Sequence, residues 1–204
     1  MINVQNLNGE LHAGRTEVAN SPKGILSLSR RLLIWRAMID DDSPEWSYQT
    51  RVRLNSLCVH HVQHVWYQVF PDNPGVENML QLARAVTEGK ANPDQAQEQA
   101  NQFLQDVLFE TELNTNAEPA TFVADAAASA VISACHQNPY YEVEVDGDLE
   151  DDDLLPNSLD LSYCCSAALA RGLNWQGVED LDVEARRAFW LWYLNEAIPV
   201  VLRN

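Results

Sequence analysis

Three of the chain's five histidines fall within five positions of the stretch LCVHHVQHVWYQVF, residues 57–70. His60 and His64 stand four apart, and on a helix that spacing brings their Cβ atoms within about 5–6 Å. Two imidazoles so placed can hold one divalent metal, with His136, Cys58 or a carboxylate as the third ligand. The pair lacks the intervening glutamate of H-E-x-x-H, which serves metalloproteases as general base. His61 points about a hundred degrees away around the same helix. Histidines that decorate a helix explain the spacing equally well and are the favoured reading. No metal, cofactor or catalytic residue is therefore expected, and a metal-dependent enzyme using His60 and His64 stands as an alternative.

The rest of the chain offers no stronger chemistry. G-x-S-x-G, phosphate-binding glycine loops and G-x-G-x-x-G are all absent. The acid run DGDLEDDD, residues 146–153, lacks the twelve-residue order and closing glutamate of a calcium loop. Cys58, Cys135, Cys164 and Cys165 include no C-x-x-C pair and sit among apolar residues of expected helices. Free thiols in such places behave as small hydrophobes, which fits a reducing compartment.

Charge is informative because of where it lies. The net charge is −17. Residues 1–90 hold nine basic and nine acidic side chains, whereas residues 91–170 hold sixteen acids and no Lys or Arg. A field of that sign repels nucleic acid and anionic lipid and attracts basic partners. No apolar run approaches the roughly 18 residues of a membrane span, and the N-terminus has no charged-then-apolar signal pattern. A cytoplasmic protein that binds neither nucleic acid nor membrane is expected.

The elements that must carry these residues read as helices. Apolar residues make up 46%, glycines number eight, and strand-like alternation is scarce. An all-α, single-domain bundle of roughly seven helices over 1–204 follows, with 1–24 irregular. The first helix runs through ILSLSRRLLIWRAMI and stops at Asp40-Asp41-Asp42. Ser43-Pro44 caps a long helix to about Gln68 whose Val52, Val59, Val62, Trp66 and Val69 face the core. FPDNPG breaks it, and the next helix runs from about Pro74 to a glycine stop at Gly89. Asn92-Pro93 opens the fourth. TFVADAAASAVISACHQ is expected as a central helix, its small side chains admitting close neighbours. A solvated acidic loop at 142–157 separates the fifth helix from the sixth, which passes through LDLSYCCSAALARG and ends at Gly172. The seventh, capped by Asp182, precedes Pro199. Its Phe189, Trp190, Trp192, Tyr193 and Leu194 cover more than one face, so it should be largely enclosed.

Two stretches carry a resemblance. R-R-x-F-W-x-W-Y-L-x-E-A-x-P at 186–199 and HVWYQVFPDNPGVENMLQLARAVTEG at 64–89 resemble segments of immunity proteins from bacterial polymorphic toxin systems, the fifth class in that nomenclature. Asp160 through Gly172 resembles a third. The likeness spans most of 30–200 and is tight at 64–89 and 158–199. It implies a mostly helical, non-enzymatic protein that neutralises a co-encoded toxin, and it carries over no catalytic residue. Trp66, Pro71, Asp72, Gly89, Arg186, Arg187, Trp190, Trp192, Glu196 and Pro199 match the motif and are expected to be structural. The unmatched acidic loop is the expected partner surface, with Asp146, Asp148, Glu150, Asp151, Asp152 and Asp153 facing a basic toxin. A helical scaffold or regulator is the remaining alternative.

Overall fold

The computed structural model describes residues 2–112, 114–143, 150–153 and 159–203. Among them there are helices and no strand. The chain begins with α1, Val4–Asn20, capped by Asn3, whose side chain accepts from Asn6 N at 3.0 Å. The expectation of an irregular 1–24 is corrected here. The helix buries only Leu7, Leu11, Gly14 and Val18, a stripe one residue wide in an otherwise polar sequence. Such a stripe is poor as a signal but sufficient as a seam. Gly14 makes the seam tight, since a Cβ there would stand 3.3 Å from Leu194 Cδ1 and from Leu26 Cδ1.

The next five helices follow the sequence expectation closely. They are α2 Leu28–Met38, α3 Pro44–Val69, α4 Gly75–Thr87, α5 Pro93–Thr111 and α6 Glu118–Cys135. Ser27 caps α2 and Asn92 caps α5 through their side chains. Gly89, at φ 68°, turns the chain after α4, where Lys90 N bonds back to Ala85 O. In α3, Val52, Val59, Val62 and Trp66 are buried and Val69 is half-buried. One turn beyond its end, Trp66 Nε1 donates to Asn73 O at 2.8 Å and so fastens the FPDNPG turn to the helix.

Helix α6 is the axle of the bundle, touching α3, α4, α5 and α7. Its alanines let those backbones approach, and its C-terminal carbonyls are met by two side chains of α3. Arg51 donates to Ser133 O and Asn138 O and to His136 O, and Tyr48 OH donates to Ala134 O at 2.6 Å. A cation at this end also complements the helix dipole. Glu142 completes the cluster, accepting from Asn55 Nδ2 and Ser133 Oγ.

Helix α7, Leu161–Ala170, is buried on nearly every side. Because α1 precedes the expected seven helices, the acidic segment lies between the sixth and seventh helices of the chain. The expected glycine stop also differs. Arg171 takes the left-handed conformation at φ 61°, and Gly172 follows it against the ends of two side chains. A Cβ on Gly172 would meet Gln176 Oε1 at 2.0 Å and Leu181 Cδ2 at 2.7 Å.

The closing helix, α8, does not end before Pro199. Val183–Trp192 passes through a π-helical turn, Tyr193–Ala197, into Ile198–Leu202. The widened turn accommodates a proline that has no N–H for the usual i−4 bond. One hydrophobic core runs through the eight helices of the described residues.

Candidate partner-binding surface

The acidic segment divides in two. Glu150, Asp152 and Asp153 are exposed, as the solvated-loop expectation has them. Asp151 is not. Its side chain is 4% exposed and turned inward onto Arg31, whose side chain is fully buried. Arg31 Nη2 lies 2.5 Å from Asp151 Oδ1 and 2.5 Å from Asp160 Oδ2, and Nη1 donates to Leu26 O at 2.6 Å. Asn174 Nδ2 donates to Asp151 Oδ2 at 3.2 Å. Asp160 accepts from Ser162 Oγ and Tyr163 N while capping α7. Asp151 is thus removed from the list of surface acids: a buried guanidinium with one carboxylate partner draws in a second. Asp146 and Asp148 lie outside the described residues.

Burial would lower the Arg31 pKa, but Asp160 and Asp151 outweigh it and hold the guanidinium above its ordinary value. Burial pushes Asp151 up against the pull of Arg31. The guanidinium also lies over Trp190 and Tyr163, 5.4 and 5.8 Å from their ring centroids. This network joins α2, the 150–153 turn, α7 and α8. Sequence reasoning missed Arg31 and Asn174. The available signal was register, because Arg31 stands three and seven residues before the buried Ile34 and Met38.

The motif residues divide between core and surface. Trp66 and Trp190 are buried. Arg186 is fully buried, donating to Gly172 O at 2.6 Å, and desolvation pulls its pKa down. Arg187 reaches the end of α1, donating to Val18 O and to Ser21 O. Trp192 departs from the enclosed-helix expectation. It is half-buried and stacks on His61, with centroids 3.7 Å apart. Glu196, Pro71, Asp72 and Gly89 are exposed, and Pro199 is half-buried.

His60 and His64 are exposed on α3, bonded to Gln63 Oε1 and to His61 O respectively. Among the described residues no three His, Cys, Asp or Glu side chains are grouped to hold a metal. Cys58, Cys164 and Cys165 are buried and Cys135 half-buried, all as free thiols. Burial raises every one of their pKa values. None is poised as a nucleophile.

A second group of acids lies along α5 and at its C-cap. Asp94, Glu98, Asp106, Glu110 and Glu112 are all exposed. Beside them Leu108 and Phe109 are exposed too, the latter at 83%. Between α5 and α6 opens a pocket of about 230 Å³ lined by Leu104, Leu108, Thr121, Phe122, Asp125, Leu159 and Leu173. Polar, charged rims around apolar patches are what protein interfaces look like.

Residues 11–200 match the family described as Immunity protein Imm5. The chain belongs to that family. The match confirms the resemblance carried by 64–89 and 158–199, and it extends to α1. No curated protein matches the chain. In this Imm5-family protein Trp66, Trp190 and Arg186 of the motif are buried, whereas Glu150, Asp152 and Asp153 face solvent. Among the described residues, no helix is long and apolar enough to cross a membrane.

Proposed function

We infer that this protein neutralises a co-encoded toxin domain of a bacterial polymorphic toxin system by binding it in the cytoplasm. Membership of the Imm5 immunity-protein family over residues 11–200 is the observation that carries the reading. The charge distribution supports a basic toxin. Sixteen acids without a single Lys or Arg across 91–170 set up a one-signed field, and helix α5 with its C-cap Glu112 presents five of them to solvent. Toxins that act on polyanions carry the opposite charge, and complementary fields accelerate encounter. Protection is by occupancy, without a cofactor and without a reaction on the toxin.

Co-expression tests this directly. The toxin domain encoded beside this gene is induced in cells with and without the protein, and the pair is then purified. Survival that depends on the protein, a one-to-one complex and a toxin of unchanged mass are the expected results. Protection at substoichiometric amounts with a chemically altered toxin would make the protein an enzyme. Death regardless of the protein would remove the toxin as partner.

A further inference from the structure

We propose that the pocket between α5 and α6 receives one Lys or Arg side chain of the partner toxin, its charged head on Asp125 and its methylenes against the leucines. The proposal rests on the toxin-binding reading and names the contact that anchors it.

Asp125 is the reason. It is half-buried in the body of the alanine-rich helix α6, whose other carboxylate, Glu118, opens the helix, and among the described residues its hydrogen bonds are from Ser129 Oγ at 3.4 Å and Cys164 Sγ at 3.8 Å. Both are long and neutral. Among the described residues, other carboxylates drawn into the interior have an arginine: Asp151 and Asp160 share Arg31, and Glu142 lies 3.9 Å from Arg51 Nε. Among the described residues no cation comes within ion-pair distance of Asp125, and the surrounding sequence has none to give, since 91–170 contains no Lys or Arg. A desolvated carboxylate without a counter-charge is costly to keep. A cation from outside removes that cost.

The walls select the kind of cation. Leu104, Leu108, Phe122, Leu159 and Leu173 are apolar, while Thr121 spends its hydroxyl on Glu118 O. Among the described residues a bare metal ion finds one carboxylate and the hydroxyls of Thr121 and Ser129, short of the about six or more oxygens that a calcium ion takes. A long side chain with an apolar stem and a charged tip suits both parts of the site. At about 230 Å³ the space is below the roughly 300–1,000 Å³ of small-molecule sites and suits a single side chain. Charge complementarity points to the same occupant. Glu118 stands one helical turn from Thr121 and Phe122, and Glu112 four residues beyond Leu108, so the approach to the pocket is acidic. The exposed Leu108 and Phe109 then provide apolar area around the anchor, the arrangement found at interface hot spots.

Two variants test this without disturbing the fold. Asp125→Asn keeps the shape and removes the charge. Leu108→Lys, at a position already half in solvent, supplies an internal cation that competes for the pocket. The first probe is n-butylguanidinium, followed by leucine-methyl NMR on the intact protein. Saturable shifts at Leu104, Leu108, Leu159 and Leu173, abolished in Asp125→Asn, are expected. Shifts of equal size in native and variant protein, or none at these methyls, would overturn the site. The second probe is the adjacent-encoded toxin domain, with each variant expected to weaken binding at least tenfold. Tight binding by native and variants alike would overturn the anchor and leave the immunity reading standing. A toxin that native protein fails to bind would instead sink the immunity reading, and the toxin as occupant with it.

Discussion

Arg31 and Asp151 are 120 residues apart in sequence and 2.5 Å apart at the closest approach of their charged groups, with both side chains out of solvent. The pair converts part of an acidic segment from surface into scaffold. Breaking a buried pair by deleting one member costs about 3–5 kcal/mol, because the other charge is left stranded. Asp151→Ala should therefore lower stability by that order, while Asp152→Ala, one residue away and exposed, should stay within about 0.5 kcal/mol of native. Urea unfolding of the two variants compares them directly. Equal midpoints would mean that the lock contributes nothing.

Trp190 and Trp192 stand on one helix but should respond differently to truncation. Trp190 is buried beneath Arg31 and beside Phe189 and Tyr193. Its replacement by Ala should cost about 3–5 kcal/mol. Trp192 is half-buried, stacking on His61 and meeting the Phe189 ring at 5.7 Å, and losing those contacts should cost about 1–2 kcal/mol. Thermal unfolding of both variants measures the difference. A Trp192→Ala protein as unstable as Trp190→Ala would place Trp192 in the core after all.

The helices from α2 to α6 were legible because their punctuation is chemical. Ser43-Pro44, Asn92-Pro93 and the glycine after α4 act locally and need no knowledge of the rest of the fold. Helix α1 was illegible for the opposite reason. Its four buried positions include a glycine, and what makes them a face is Leu194 and Leu26 lying across from them. Asp151 could not be told from Asp152 by any local rule, since only Arg31 distinguishes them. Asp125 did leave a trace, as one acid in an apolar helix. Its missing counter-charge became visible only once its neighbours were in place.

The exposed acids should act at long range. Replacing Glu150, Asp152 and Asp153 together with Asp146 and Asp148 by their amides should slow association with a basic toxin by at least about tenfold at low salt. Dissociation should change less, and Asp151 must be left intact so that the fold is not the variable. Salt should slow the native pair in the same direction, because screening shortens the field to about 8 Å near physiological ionic strength. Stopped-flow mixing at two salt concentrations reads both effects. Rates that do not change with either would take these residues out of the encounter.

Asp125 should give the isolated protein an unusual pH dependence. Burial pushes its carboxyl up to about 6, above the ordinary aspartate value. The groups bonded to it are the Ser129 hydroxyl and the Cys164 thiol, which burial keeps protonated. A carboxyl whose folded pKa exceeds its unfolded pKa holds its proton more tightly when folded, so this group favours the fold most below about pH 4. Its contribution falls as pH rises from about 4 to about 6, where the desolvated charge appears. Asp125→Asn should consequently be more stable than native protein at pH 7, by roughly 1–3 kcal/mol, with the gain gone near pH 4. In complex with a cation-bearing partner the sign reverses. The ionised carboxylate is then wanted, and binding should weaken as pH falls through about 6 in native protein but not in the variant. Melting temperatures of both proteins at pH 4 and 7, and toxin affinity across the same interval, test the two halves separately. A variant less stable than native at pH 7 would mean that the Ser129 and Cys164 contacts outweigh the cost of the buried charge.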